Sequence, residues 1–229
     1  MHVNNRAKKE MQHNKKLLEN FRYIDDIAFV NGNMENAKII LESLGIKTDS
    51  VWGPKDGRPF GPSPGEYGVW LSTLNVFEYI VKNKTEKLLV LEDDVLISKD
   101  FKSQLEACEK DLPKDWSFLS MYTTKDDSVD NFTDIGSRLI HRSNNQHAFA
   151  QAMLYSYSGA KKILDRMYNV GMKTVNDDFI FDQSRNMHVD GYTIRPDIKP
   201  VVFHRTELPS VIDVSGKRNG FYYPKTSKK

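Results

Sequence analysis

Cysteine is almost absent from this chain of 229 residues, because Cys108 is the only one. A single cysteine excludes an intrachain disulfide and a cysteine metal cluster, so we expect Cys108 to be a core residue of a helix. Long apolar runs are also missing: no segment approaches the roughly eighteen apolar residues that a membrane-spanning helix needs. The N-terminal segment has no apolar signal-peptide core. Together these absences predict a globular protein of the cytoplasm.

The sequence also lacks an internal repeat, a Walker loop, a nucleophile elbow and the ligand spacing of a zinc site. Its net charge is only +2, but the charge is uneven along the chain. The first twenty residues carry five Lys or Arg against two acids, and residues 217–229 carry five with none. We therefore predict a basic extension over residues 1–22, a core domain over 23–214 and a basic tail over 215–229. Basic ends suit an anionic partner.

The most informative stretch is KLLVLEDDVLI, which covers Lys87 to Ile97. Its first half predicts a fully buried strand, and ligands of open α/β sheets collect at the carboxyl ends of strands. Here that end carries Glu92, Asp93 and Asp94, and side-chain alternation puts Glu92 and Asp94 on one face. Carboxylates placed in this way predict a site for Mg²⁺ or Mn²⁺. The open alternative is that the acids only solvate the strand end and prepare the next helix.

Around this stretch the pattern is α/β. The segment MENAKIILESLGI predicts a helix that Gly45 ends, and a loop rich in glycine and proline follows. Ser63, Pro64 and Glu66 then form a capping-box pattern, which predicts a helix whose apolar face packs on the sheet. The N-terminus of that helix could receive phosphate, although Glu66 would equally be explained as a cap.

The segments GEYGVWLSTLNVFEYI and KLLVLEDDV together resemble the core signature of glycosyltransferase family 25, the lipopolysaccharide and collagen-galactosyltransferase type. The order and spacing of the two segments agree with the family as well. The sequence departs from the family at Val69, where a cysteine is usual, and at Thr73, where a histidine is usual. The positions that match are Gly65, Glu66, Gly68, Leu71, Ser72, Glu92, Asp93, Asp94 and Val95.

The resemblance continues to about residue 214. MLYSYSGAKKIL is similar to a strand, turn and helix of the family, with Ser158 as the predicted helix cap. VNDDFIFDQSR and KPVVFHRTELPSVID are similar to its acidic segment and its closing strand. Near the start, residues 31–33 read Asn-Gly-Asn, where the family usually has an Asp-Arg-Arg turn that meets the nucleotide. The identity of the donor is therefore open.

The resemblance implies a GT-A-type, Rossmann-like nucleotide-binding fold, with a mixed, mostly parallel sheet flanked by helices. It implies an inverting transfer of a sugar from a nucleotide-sugar donor to a hydroxyl acceptor, usually with a divalent metal, Mn²⁺ or Mg²⁺. The acceptor expected from the family is a lipopolysaccharide-type glycan.

Roles for individual residues follow from the resemblance together with their positions at predicted strand ends and helix starts. We predict that Asp94 holds the metal with help from His204, and that Asp177 or Asp178 is the general base. A simple helix cap is the alternative for the two aspartates, and a structural role is the alternative for His204. The predicted donor-binding residues are Asn31, Glu66, Ser72, Glu92 and Asp93.

Three other functions stay open at this point. The basic ends would also suit DNA, so the acceptor could be a hydroxymethylated base of phage-type DNA that is flipped out of the helix. Clustered acids with histidines would suit a metal-dependent phosphodiesterase or nuclease. The altered turn at residues 31–33 and Thr73 would suit a catalytically silent nucleotide-binding module.

Overall fold

The computed structural model describes residues 8–19, 36–48, 62, 64–92, 95–123, 133–134, 137–141 and 150–204. The helices in this part of the chain are α1 (Lys8–Leu17), α2 (Ala37–Ser43), α3 (Pro64–Lys82), α4 (Phe101–Asp111), α5 (Tyr157–Val170) and α6 (Asn176–Arg185). The strands are β1 (Lys87–Leu91), β2 (Val95–Ile97), β3 (Phe118–Ser120), β4 (Thr133–Asp134), β5 (Leu139–His141), β6 (Ala152–Ser156), β7 (Gly191–Ile194) and β8 (Val202–His204).

The strands form a six-stranded sheet in the order β1-β6-β3-β7-β5-β4 and a small sheet of β2 with β8. The predicted mixed sheet flanked by helices is confirmed, but "mostly parallel" is wrong for the described pairings. Only β3 and β7 run parallel, and every other described pair is antiparallel. The reason is that the alternation of strands and helices stops between β3 and β6, where the described elements are strands only. Strand β6 then inserts between β1 and β3 in the opposite direction.

Strand β6 separates two apolar clusters. Met153 and Tyr155 belong to the cluster formed with α2, α3, α5 and α6, whereas Ala152 and Leu154 belong to the cluster formed with α4, β2 and β8. This is the period of two that a strand covered on both faces must have. Cys108 is buried in the second cluster, as predicted. The core therefore has helices on one face of the sheet and a helix with the small sheet on the other.

Strand β1 differs from its prediction. Its residues are half-buried or exposed, not fully buried. Among the described strands it lies at the edge of the sheet and pairs with β6 alone. An edge position leaves part of each side chain open, which explains the difference.

Helix α5 begins without a loop after β6, and its cap is not the predicted one. Ser156 is the N-cap and its Oγ accepts a hydrogen bond from the backbone N–H of Gly159 at 3.0 Å, while Ser158 lies inside the helix. A side chain at 159 would overlap the backbone of Ser117, so only glycine lets α5 approach β3 this closely. The last residue of the strand thus also starts the helix.

The N-terminal helix α1 contacts the small sheet through Asn14, which is buried. Asn14 Nδ2 donates to the carbonyl of Val95 at 2.9 Å, and Asn14 Oδ1 accepts from the N–H of Ile97 at 3.1 Å. The division of the chain at residues 22 and 214 stays a prediction. Within the first segment, however, α1 is anchored to the strand that follows the acidic triplet.

Candidate active site

The carboxyl end of β1 is where the sequence predicted a site. The ladder between β1 and β6 pairs Leu91 with Ala152, and it extends by one step because the N–H of Glu92 donates to the carbonyl of Gln151 at 2.9 Å. Glu92 is half-buried. Leu88 and Val90 pack on the cluster of α3, α5 and α6, so alternation puts Glu92 on that same face. Asp93, Asp94 and Asn31 lie outside the described residues.

Helix α6 brings the predicted base residues to the same place. Asp177 and Asp178 are in its first turn, which confirms a pair of carboxylates at a helix start. Asp177 Oδ2 accepts a hydrogen bond from the backbone N–H of Ala150 at 3.2 Å. Ala150 directly precedes Gln151, the residue that pairs with Glu92. Asp177 and Glu92 therefore contact adjacent residues just before β6, although 85 positions separate them in the sequence.

The surroundings of Asp177 change its acidity. The pKa of Asp177 is raised to about 6, chiefly by burial and to a smaller extent by the negative charge of Asp178. The hydrogen bonds from Ala150 and the Asn176 side chain act in the opposite direction. A carboxyl group that exchanges its proton near neutral pH is suited to general acid or base catalysis.

Tyr155 of β6 lies close enough to Asp177 and Glu92 to be affected by the charges of both. Burial raises the pKa of its hydroxyl most, and the charges of Asp177 and Glu92 raise it further. Its ring meets Phe77 of α3 edge to face, with centroids 4.9 Å apart. Tyr155 therefore stays protonated beside two carboxylates, at the base of the site.

The N-terminal half of α3 faces the start of α6. Trp70 Nε1 donates to the carbonyl of Thr174 at 3.0 Å, and its ring centroid is 4.7 Å from that of Phe179. Glu66 lies one turn before Trp70 and is 3% exposed, and Ser72 is fully buried. Both residues belong to the helix that borders the site, and their predicted contacts with a donor stay predictions.

The strand that follows the predicted metal ligand Asp94 pairs with the strand that ends in His204. The register of β2 and β8 puts the backbone of His204 opposite Val95, the residue after Asp94. No group of three or more His, Cys, Asp or Glu residues in the described ranges could hold a metal ion. In those ranges Glu92 is the one member of the acidic triplet, and the assignment of Asp94 and His204 as ligands stays a prediction.

Two site residues were missed by the sequence reasoning. Gln151 and Asn176 are buried at 7% and 6% exposure, and the side-chain oxygen of each has no hydrogen-bond partner among the described residues. Asn176 could have been noticed because it directly precedes the aspartate pair. Gln151 lies in no motif, and only its pairing with Glu92 shows its place.

A concavity lies at the other end of β1, away from the predicted site residues. It has a volume of about 380 Å³ and is lined by Lys87, Glu109, Trp116 and the first residues of α5, among others. Lys87 and Glu109 form an ion pair of 2.7 Å there. None of the predicted site residues borders this cavity.

Comparison with known protein families identifies the class of this protein. Residues 6–199 match the family model of glycosyltransferase family 25 (LPS biosynthesis protein). Since the match covers most of the chain, the protein belongs to glycosyltransferase family 25, as its motifs predicted. No curated protein matches the sequence significantly. Among the helices described here, none has the length and apolar character required to cross a membrane.

Proposed function

We propose that this protein transfers a sugar from a nucleotide-sugar donor to a hydroxyl group of a lipopolysaccharide-type glycan, with inversion at the anomeric carbon. The observation that carries the proposal is that Glu92 and Asp177 bond to the adjacent residues Gln151 and Ala150 just before β6, in a chain that belongs to a glycosyltransferase family. An inverting transfer needs one base close to the acceptor hydroxyl, and Asp177 has the environment of such a base.

In the proposed reaction, Asp177 takes the proton of the acceptor hydroxyl while the acceptor oxygen forms a bond to the anomeric carbon. The bond between that carbon and the donor's diphosphate breaks, and the diphosphate leaves with the electron pair. Burial of Asp177 favours its protonated form, which makes the carboxylate a stronger base than an exposed aspartate. Asp178 would assist through its charge.

We propose that Asp94, with His204, holds a divalent cation, Mn²⁺ or Mg²⁺, and that Glu92 and Asp93 contact the donor. The cation would neutralise the charge that grows on the leaving diphosphate. Oxygen ligands suit both ions, and an imidazole is better suited to Mn²⁺ than to Mg²⁺. The pairing of β2 with β8 supports this assignment, because it puts the backbone of His204 beside the strand that follows Asp94.

The first test is a thermal-shift screen with UDP, GDP, ADP, dTDP and CMP and their sugar derivatives, with and without Mn²⁺. A ligand that binds only the native state raises the melting temperature, so we expect a shift with one nucleotide family. Hydrolysis of that donor would separate an enzyme from a silent binding module. Sugar transfer to a purified glycan would support the proposed acceptor, whereas transfer to hydroxymethylated DNA would replace it.

The substitution Asp94→Asn tests the metal assignment, because it removes the charge of the carboxylate and keeps the shape of the side chain. We expect this variant to lose Mn²⁺-dependent nucleotide affinity and turnover. Asp100→Asn, on the surface before α4, is the matched control and should behave as wild type. Wild-type activity and nucleotide affinity of Asp94→Asn in Mn²⁺ would show that Asp94 is not the ligand.

A further inference from the structure

Two amide side chains beside Asp177 have acceptor atoms that nothing in the described ranges satisfies. They are Oε1 of Gln151 and Oδ1 of Asn176, and both residues are more than nine-tenths buried. Buried polar atoms in native proteins are almost always hydrogen-bonded, because an unpaired one loses its bonds to water without replacement. Two unpaired acceptors in one place therefore point to a ligand that supplies donors.

Both residues are fixed by their neighbours in the site. The carbonyl of Gln151 accepts from Glu92, and the N–H of the preceding Ala150 donates to Asp177. The Glu92–Gln151 hydrogen bond continues the ladder one residue before β6, and alternation then puts the Gln151 side chain on the face of Met153 and Tyr155, which α6 covers. Asn176 starts α6 and its side chain donates to Asp177. The two amides thus flank Asp177 from two different elements.

The polar groups around Asp177 indicate which kind of ligand could bind there. The amide oxygens and the carboxylates of Glu92 and Asp177 are hydrogen-bond acceptors, so the partner must present several donors. The hydroxyl groups of a sugar are donors that bring no charge into a partly buried site, and the substrate proposed above carries such groups. Gln151 lies against Glu92 at the end of β1, which is the donor side of the proposed site.

We infer that Gln151 and Asn176 accept hydrogen bonds from hydroxyl groups of the transferred sugar and so determine which sugar the enzyme uses. This inference rests on the proposed function. It makes the two amides positioning residues that hold the sugar beside Asp177, whereas the nucleotide part of the donor is bound elsewhere.

The test compares a nucleotide with its sugar derivative by titration calorimetry, using UDP and UDP-hexoses or the nucleotide pair selected by the thermal-shift screen. Gln151→Met and Asn176→Leu keep the shape of each side chain and remove the acceptor. We expect the affinity gained from the sugar, measured as the ratio of the two Kd values, to fall about 3- to 10-fold in each variant. The Kd for the free nucleotide should stay within about 2-fold.

Gln183→Met is the matched control, because Gln183 is a buried glutamine of α6 whose amide is already paired with Arg166 and with the carbonyl of Phe179. It should lower the melting temperature and leave the ratio of Kd values unchanged. Gln151→Met should instead keep or raise the melting temperature, since it removes an unpaired buried atom, whereas Asn176→Leu also removes the donor to Asp177 and should lower it. A purely structural role for Gln151 would not produce a response opposite to that of the control.

The possible failures can be told apart. If wild type binds the nucleotide sugar and both folded variants keep the wild-type ratio, the inference is wrong and the proposed function stands. If the ratio is unchanged but the KM for the acceptor rises, the amides contact the acceptor, and the assignment to the transferred sugar is wrong. If wild type binds no nucleotide and no nucleotide sugar, the proposed function and the inference fail together.

Discussion

Asp177 is an unusual aspartate because its position at the start of a helix would ordinarily favour the charged form. The opposite holds here: burial and the charge of Asp178 outweigh two hydrogen bonds, and the pKa rises to about 6. The balance of these effects turns a common helix-start residue into a group that can exchange protons at physiological pH. The N-cap of α6 is Val175, and the Asp177 carboxylate accepts from Ala150 outside the helix, so its place in the first turn is compatible with a role in the chemistry.

We predict that Asp177→Asn lowers kcat by about 10²- to 10⁴-fold, the usual contribution of a general base, and leaves donor binding nearly intact. In wild type, kcat/KM should fall as the pH drops below about 6, because the base must be unprotonated to act. The measurement is a pH profile of transfer for both proteins. The remaining activity of the variant should lack the inflection near pH 6.

Asp178→Asn is the control for this assignment. It should keep most of its turnover, and its inflection should move to lower pH because the charge that raises the pKa of Asp177 is gone. If Asp178→Asn were the inactive variant instead, the two roles would have to be exchanged. If both variants lost their fold, the aspartates would be helix caps only.

The raised pKa also affects stability. Between the ordinary value of 3.8 and about 6, the folded protein holds a proton on Asp177 that the unfolded chain releases. This contribution to stability is present below the unfolded pKa and is lost as the pH rises through about 6. We expect the slope of melting temperature against pH in this window to be more positive in Asp177→Asn than in wild type. An unchanged slope would contradict the raised pKa.

At the scale of elements, the side chain of Ser156 at the junction of β6 and α5 makes hydrogen bonds that stabilise both the helix start and the strand end. Ser156 Oγ accepts from the N–H of Gly159 and donates to the carbonyl of Trp116 at 2.8 Å. It therefore starts α5 and ties the end of β6 to the segment that leads into β3. Such a junction fixes the helix on the sheet without a connecting loop.

We predict that Ser156→Ala lowers the free energy of unfolding by about 1 to 2 kcal/mol, the usual cost of losing an N-cap. Ser158→Ala, two residues later in the helix, should change it by less than about 0.5 kcal/mol. Urea unfolding of both variants measures the difference. A larger cost for Ser158→Ala would contradict the cap seen in the structure and restore the one expected from the sequence.

Features that depend on neighbouring residues were predicted from the sequence, whereas features that depend on residues far apart in the chain were not. Pro64 and Glu66 predicted the start of α3, and Gly45 predicted the end of α2, because helix ends are determined by a few adjacent residues. The meeting of Asp177 with Ala150, and of Glu92 with Gln151, depends on a strand that enters the sheet from far along the chain. No local pattern encodes that insertion, so the acids were predicted and their arrangement was not.

At the scale of the whole molecule, the N-terminal segment is connected to the region of the site. Asn14 bonds both the carbonyl of Val95 and the N–H of Ile97, and the His13 ring lies 3.1 Å from the carbonyl of Ile97. These bonds hold the strand that follows Asp93 and Asp94. The basic segment that the sequence suggested as a partner surface therefore has a structural role as well.

We predict that Asn14→Leu lowers the free energy of unfolding by about 1 to 3 kcal/mol, because it leaves a buried N–H and a buried carbonyl of β2 without partners. Gln12→Ala, on an exposed position of the same helix, should change it by less than about 0.5 kcal/mol. The measurement is chemical denaturation at equilibrium. Equal stability of wild type and Asn14→Leu would mean that α1 is an independent extension.

The Asn14 amide also has a consequence for the protein at high concentration. In β2, the backbone N–H and carbonyl of Leu96 face β8. The carbonyl of Val95 and the N–H of Ile97 face the opposite edge of the strand. There they bond to the Asn14 side-chain amide, as they would to the backbone of a neighbouring strand. An uncovered strand edge is a template on which a second molecule can add its own strand, the first step of aggregation. Because Asn14 occupies Val95 O and Ile97 N, these two groups are not available to a strand of a second molecule.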